Sequence, residues 1–234
     1  MKRLLLMLAL LACGTTAHAQ AYQCSIPAGP VPVPQVSPDG PARRTAITGY
    51  SLMLSWSPEY CRGRERNAED RLQCSGRNGR FGLVLHGLWP EGRNGAWPQW
   101  CPTSRKPAAE TIRRNLCVTP SARLMAHEWA KHGTCMVKTP EAYFRISRIL
   151  WDSLTLPDLD RLSRREGLNA GMIREAFVIA FPALKPEMVG IDLNERGWLQ
   201  EVTICYGKDF LPARCSSHQF GARDSAPAKI WRGL

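Results

Sequence analysis

From Ala46 to Ser57 the chain reads AITGYSLMLSWS, a β-prone run that predicts a strand. An Arg- and Gly-rich loop follows from Arg62 to Arg80. Then FGLVLHGLWP, residues 81–90, reads as a short buried strand ending in a turn at Gly87 and Pro90. Thr119-Pro120 offers an N-cap with proline at the first helical position, and Gly133 a stop, which frames a helix from Pro120 to His132. Thr139-Pro140 repeats the start signal for a helix through Ser153, and a third helical pattern runs from Asn169 to Ala180. MVGIDLN (188–194) and WLQEVTICYG (198–207) alternate as a hairpin of strands. There is no internal repeat and no second domain, so the fold class is α+β.

The chain's start has a different character. Lys2 and Arg3, the apolar run Leu4 to Ala12, and the small-x-small site Ala17-His18-Ala19 have the layout of a secretory signal. Leu10-Leu11-Ala12-Cys13 also resembles a lipoprotein signal with Cys13 as the lipidated residue, but the site after Ala19 is the better formed. Either way the chain is expected to be exported, to a periplasm or the exterior. The apolar run is too short to span a bilayer. Residues 25–41 then carry six prolines and two glycines with almost no charge, which reads as a mobile arm. The expected organisation is a signal peptide (1–19), an arm (20–45) and one domain (46–234).

Charge and cysteines narrow the setting without naming a function. The net charge of +11 falls to +9 once the signal is removed, which suits nucleic acid, anionic lipid or acidic glycan equally well. Apart from Cys13, eight cysteines remain: Cys24, Cys61, Cys74, Cys101, Cys117, Cys135, Cys205 and Cys215. An even number in an exported chain suggests four disulfides, and short separation favours Cys61–Cys74 and Cys205–Cys215. No Cys-x-x-Cys pair points to zinc.

The chemistry concentrates in HEWAKHGTC, residues 127–135. On a regular helix His127, Glu128, Lys131 and His132 fall inside an arc of about 140°. Histidines at i and i+5 converge poorly on a metal, and a lysine between them repels a cation, so the face suits an anion. Four histidines follow the signal segment, and two of them are here. A third, His86, follows three apolar residues on a strand, where a core position is the ordinary outcome; the turn after it instead suits a cleft. The fourth, His218, lies in a polar tail and reads as a bystander. Two histidines on opposite sides of a phosphodiester can act as base and acid in one displacement. A lysine at phosphorus would stabilise the extra transition-state charge. A ribose 2′-hydroxyl would supply the nucleophile, with no metal or other cofactor.

Together FGLVLHGLWP and HEWAKHGTC resemble the two active-site segments of the ribonuclease T2 family, in the right order, and LMLSWSPEYC extends the likeness upstream. The resemblance implies an antiparallel sheet flanked by helices. It also implies metal-independent cleavage of single-stranded RNA through a 2′,3′-cyclic phosphate to a 3′-phosphate; DNA, which lacks the 2′-hydroxyl, is expected to be spared, and the protein is expected to be a monomer. His86 and His132 match the acid–base pair, His127 a phosphate-binding histidine, and Glu128 and Lys131 the residues supporting the transition state. Trp89 matches a base-stacking position. Glu91 stands where many relatives have aspartate at a base contact. Cys135 is expected to pair with Cys101. The arm and the residues after Cys215 have no clear counterpart. Which histidine is the base is open from the sequence; Glu128 one turn earlier and the helix C-terminus favour a protonated His132, which inclines the choice toward His132. A zinc peptidase and a non-catalytic secreted binding protein are the rival classes, separable by chelator sensitivity and by loss of RNA cleavage.

Overall fold

The computed structural model describes residues 24–233; the expected signal segment, with Ala19 and Cys13, lies outside them. Its centre is a four-stranded antiparallel sheet in the order β2-β1-β4-β3, made of β1 (Gly49–Trp56), β2 (Leu83–Glu91), β3 (Val189–Leu193) and β4 (Leu199–Gly207). In β1, Leu52, Leu54 and Trp56 enter the core, while Ser51, Met53 and Ser55 alternate with them and face the other side. That second face is the floor of a cleft.

β2 does not turn at Gly87 as expected; it runs on to Glu91. Its register against β1 steps from Met53↔Gly87 to Leu54↔Leu85, leaving His86 as an extra, bulged residue. A bulge re-aims the side chain it carries. Here His86 joins Trp89 and Glu91 on the cleft side, while Leu85 and Leu88 stay in the core.

Four helices cover the core face: α1 (Ala109–Asn115), α2 (Ala122–Glu128), α3 (Pro140–Ser153) and α4 (Ala170–Ala180). The last two agree with the expected spans, capped by the side chains of Thr139 and Asn169. α1 was not expected. α2 starts later than the Thr-Pro signal suggests, because Ser121 is the N-cap and the Thr119 hydroxyl donates instead to the Leu85 carbonyl. Nor does Gly133 end the helix. Trp129–Gly133 forms a π turn, and a further helical turn, Thr134–Met136, follows. The apolar faces meet the sheet through Ile112, Met125, Trp129, Trp151, Ile173 and Phe177.

The segment expected to be a mobile arm is fastened along its length. Cys24 is bonded to Cys117, Arg113 donates to the Pro27 carbonyl, and Arg43 bridges to Gln99. Ile26, Val31 and Val33 pack on the core. Every one of these partners is remote in sequence, so local composition carries no sign of them. The other disulfides are Cys61–Cys74, Cys205–Cys215 and Cys101–Cys135, as expected. No helix among the described residues is long and apolar enough to cross a membrane.

Candidate active site

The bulge in β2 holds His86 between two carboxylates. Its Nδ1 lies 2.5 Å from Glu201 Oε1, an oxygen that also accepts from Ser55 Oγ at 2.6 Å. Its Nε2 lies 3.5 Å from Glu128 Oε1. Burial by itself would lower the imidazole pKa, but the bonds to Glu128 and Glu201 raise it to about 10. His86 is therefore an imidazolium at neutral pH. Glu128 is 2 % exposed; burial pushes its carboxyl up, while His86 and Trp89 pull it below its ordinary value. It fits beneath β2 because Gly87 has no side chain: a Cβ there would stand 2.0 Å from Glu128 Oε2. The same oxygen accepts from Trp89 Nε1 at 2.6 Å.

His132 comes from the π turn. There the Thr134 N–H bonds back to the Trp129 carbonyl, five residues earlier, and the widened turn departs from the regular helical wheel. Gly133 permits the packing, since a Cβ would meet the Trp129 ring at 2.6 Å and Tyr143 at 2.8 Å. The His132 ring stacks on Trp89 with centroids 5.0 Å apart, and is 3 % exposed. Among the described residues its Nδ1 has no hydrogen-bond partner. Burial, against the opposing pull of Glu128 and with the charges of Lys131, His127 and His86 adding to it, lowers its pKa to about 4. This corrects the expected reason for assigning the base. The Glu128 carboxylate turns to His86 and Trp89, and the helix does not end at His132, so neither favours a charged His132 enough to offset burial. The two histidines are pushed in opposite directions.

His127 and Lys131, on the same face one turn apart, reach toward one point. Lys131 Nζ lies 2.8 Å and His127 Nε2 3.7 Å from the same oxygen, Asp39 Oδ2. Asp39 Oδ1 accepts from Trp100 Nε1 at 3.0 Å. Burial first, then the neighbouring cations, holds His127 below its ordinary pKa despite Glu128 and Asp39.

At the other end of the cleft, Glu91 Oε1 accepts from Ser51 Oγ at 2.6 Å, and Gln219 Nε2 donates to the same hydroxyl at 2.7 Å. His218 Nε2 lies 3.4 Å from Glu91 Oε2. His218 is thus no bystander in position. It is carried by α5 (Ser217–Phe220), whose Phe220 carbonyl is gripped by the buried Arg174 of α4, which also bonds Val189 O and Asp224. Trp97 closes this end, 37 % exposed, with Arg43 over its ring.

One cleft of about 550 Å³ collects His86, Trp89, Glu91, His127, Glu128, Lys131 and His132, all seven residues singled out from sequence. Trp89 has a second engagement beyond the expected base stacking: one ring face lies on His132 and its N–H on Glu128, which leaves Trp97 as the more open aromatic surface. Sequence reasoning missed Glu201, Asp39, Ser51 and Gln219. Glu201 alone had a signal, an acidic residue inside the strand run WLQEVTICYG.

The ribonuclease T2 family model matches residues 48–170. A "Probable ribonuclease" of Haemophilus influenzae is 31 % identical over 190 residues, covering 76 % of this chain and 64 % of that protein. A "Ribonuclease" of Aeromonas hydrophila is 46 % identical over 87 residues, 37 % of this chain and 36 % of the relative. The chain thus spans less than two thirds of the length of either. Trichomaglin, described as a novel S-like ribonuclease, shares the fold with a TM-score of 0.61 at 20 % identity, over 80 % of this chain and 98 % of its own. The family match runs through β1, α3 and both histidine segments, which carry His86, Trp89, Glu91, His127, Glu128, Lys131 and His132, and the chain belongs to the ribonuclease T2 family.

Proposed function

We propose that this cleft cleaves single-stranded RNA by transphosphorylation, with His132 as base and His86 as acid. The observation that carries the reading is the opposed state of two histidines on either side of Trp89: a neutral His132 with its pKa near 4 and a charged His86 with its pKa near 10. Environments that push two titratable groups apart assign them acid and base roles. His132 removes the 2′-hydroxyl proton as O2′ bonds to phosphorus. The P–O5′ bond breaks, and the His86 imidazolium protonates the departing O5′. The product is a 2′,3′-cyclic phosphate. In the second step His86, now neutral, takes a proton from water as the water oxygen bonds to phosphorus. The P–O2′ bond breaks, the His132 imidazolium protonates O2′, and a 3′-phosphate remains. Lys131 and His127 face the phosphate, where added negative charge develops. Glu128 and Glu201 orient His86, and Trp89 positions both Glu128 and His132. Glu91 and Trp97 stand where a base would lie.

The substrate brings its own nucleophile, so the reaction requires no metal, and DNA, lacking the 2′-hydroxyl, is spared. Four disulfides suit a monomer exported to an oxidising compartment, the periplasm or the exterior. The test is incubation of pure protein with homopolymeric RNAs and single-stranded DNA in excess EDTA, with product ends resolved. Cyclic phosphate appearing first and 3′-phosphate later is the expected result; abolition by chelation, or cleavage of DNA, overturns the reading.

A further inference from the structure

The proline-rich strap carries one acidic residue, Asp39, and it lies on the lysine and the histidine assigned to the substrate phosphate. We propose that Asp39 is an internal competitor for the phosphate position and so sets how tightly the cleft holds an anion there; the inference rests on the phosphate role of Lys131 and His127 given above. One carboxylate oxygen meets Lys131 at 2.8 Å and His127 at 3.7 Å, as a phosphate oxygen would, while the other is held by Trp100. The Lys131 bond, with help from Trp100 and His127, keeps the carboxyl below its ordinary pKa, so it is an anion.

The strap keeps Asp39 close to the site. It is closed by Cys24–Cys117 before the aspartate and by the paired backbone bonds of Arg43 with Gln99 after it. A tethered competitor acts at a high effective concentration that dilution does not change. Asp39 is nonetheless 49 % exposed on its side chain, so its ion pair is weak enough to be displaced.

Any anion that reaches Lys131 and His127 must displace it. The strap and α2 wall a second groove of about 660 Å³, lined by Gln35, Ser37, Ser121 and Arg123, which meets the catalytic cleft at His86 and His127. A phosphodiester at that junction has a cavity on each side. Free phosphate must evict the carboxylate for the junction contacts alone. An RNA strand gains contacts in both cavities as it does so. Asp39 therefore lowers the affinity of both by a common factor, which leaves free phosphate weakly bound while an RNA strand keeps its contacts in both cavities.

The test is Asp39→Asn, which keeps an acceptor for the Trp100 N–H and removes the charge. Inorganic phosphate is the probe, its affinity read by calorimetry without RNA and by competitive inhibition of RNA cleavage, alongside kcat and KM. Phosphate should bind about five-fold more tightly, the upper scale of an exposed ion pair, and KM for polymeric RNA should fall by up to the same factor. Unchanged or weaker phosphate binding overturns the proposal. So does a lower kcat with unchanged phosphate binding, which would make Asp39 a positioning residue for Lys131. Lys131→Met separates the two layers. If that variant binds phosphate as well as the parent protein, the phosphate-site reading itself fails. If it loses phosphate while Asp39→Asn gains none, only the competition fails.

Discussion

His86 on β2 and Glu201 on β4 touch across the strand between them, Nδ1 to Oε1 at 2.5 Å, with Ser55 of β1 donating to the same carboxylate oxygen. The contact fixes the ring so that Nε2 faces Glu128 and the cleft, and it favours the imidazolium. Removing the charge of Glu201 should therefore lower the pKa of His86. For an acid that must be protonated, kcat/KM is lost as pH rises through that pKa. In Glu201→Gln the alkaline limb should move from near 10 toward neutral, while the acid limb, set by His132 near 4, should stay. A pH–rate profile with an unmoved alkaline limb would detach Glu201 from His86.

His86→Ala and His132→Ala should each lower kcat by about 10²–10⁴-fold, the usual scale for a proton-transfer group. Because both act in one displacement, the double variant should fall far short of the product of the singles. Hydrolysis of preformed cyclic phosphate should fail in both singles. Near-normal kcat in either folded variant counts against the pair.

Stability should respond to pH through the buried His132. Below its unfolded pKa of about 6.5 the unfolded chain binds a proton that the folded state refuses until about 4, so stability is lost as pH falls across that window. The loss is at most about 3 kcal/mol, and His132→Asn should lack it in urea melts at matched pH. His86 acts at the other end. Its folded pKa is raised, so its contribution is complete below about 6.5 and lost as pH rises through about 10. Equal pH slopes for parent and His132→Asn would show that His132 titrates normally.

Gly87→Ala puts a methyl where Glu128 Oε2 lies, 2.0 Å away, and 3.0 Å from Trp89 Nε1. The carboxylate must move, and with it the partner of His86. The expected result is a folded enzyme with kcat reduced about 10²-fold, the scale of a misplacement of about 1 Å. Thermal melting and kinetics together check it; unaltered kcat would mean that Glu128 does not position His86.

The two cleft tryptophans should separate by kinetic parameter. Trp89→Phe loses the N–H that holds Glu128 while keeping a ring beside His132, so kcat should fall. Trp97→Ala removes the open aromatic surface, and RNA affinity should weaken by about 1–3 kcal/mol, as loss of a base stack does, with kcat little altered. The reverse split would return base stacking to Trp89.

The α+β class, the hairpin of β3 and β4, helices α3 and α4 and the positions His86, His127, Glu128, Lys131 and His132 were legible from local signals: alternation, a Thr-Pro or Asn cap, a histidine at a strand end or a dense group of titratable residues, whereas Trp89 and Glu91 were named only through the family resemblance. Their spatial convergence was legible only through the family resemblance, since nothing local ties residue 86 to residue 132. The tertiary structure decided the rest. It turned His86 toward the cleft through a register step that exists only between paired strands. It set Glu128 against His86 rather than His132, because Gly87 leaves room beneath β2 and the π turn carries His132 under Trp89. It brought Glu201, His218 and Asp39 to the site from strand, tail and strap. Protonation states followed from those contacts: composition shows that a chain has histidines, but burial and neighbouring charge, which are properties of packing, determine which one is charged.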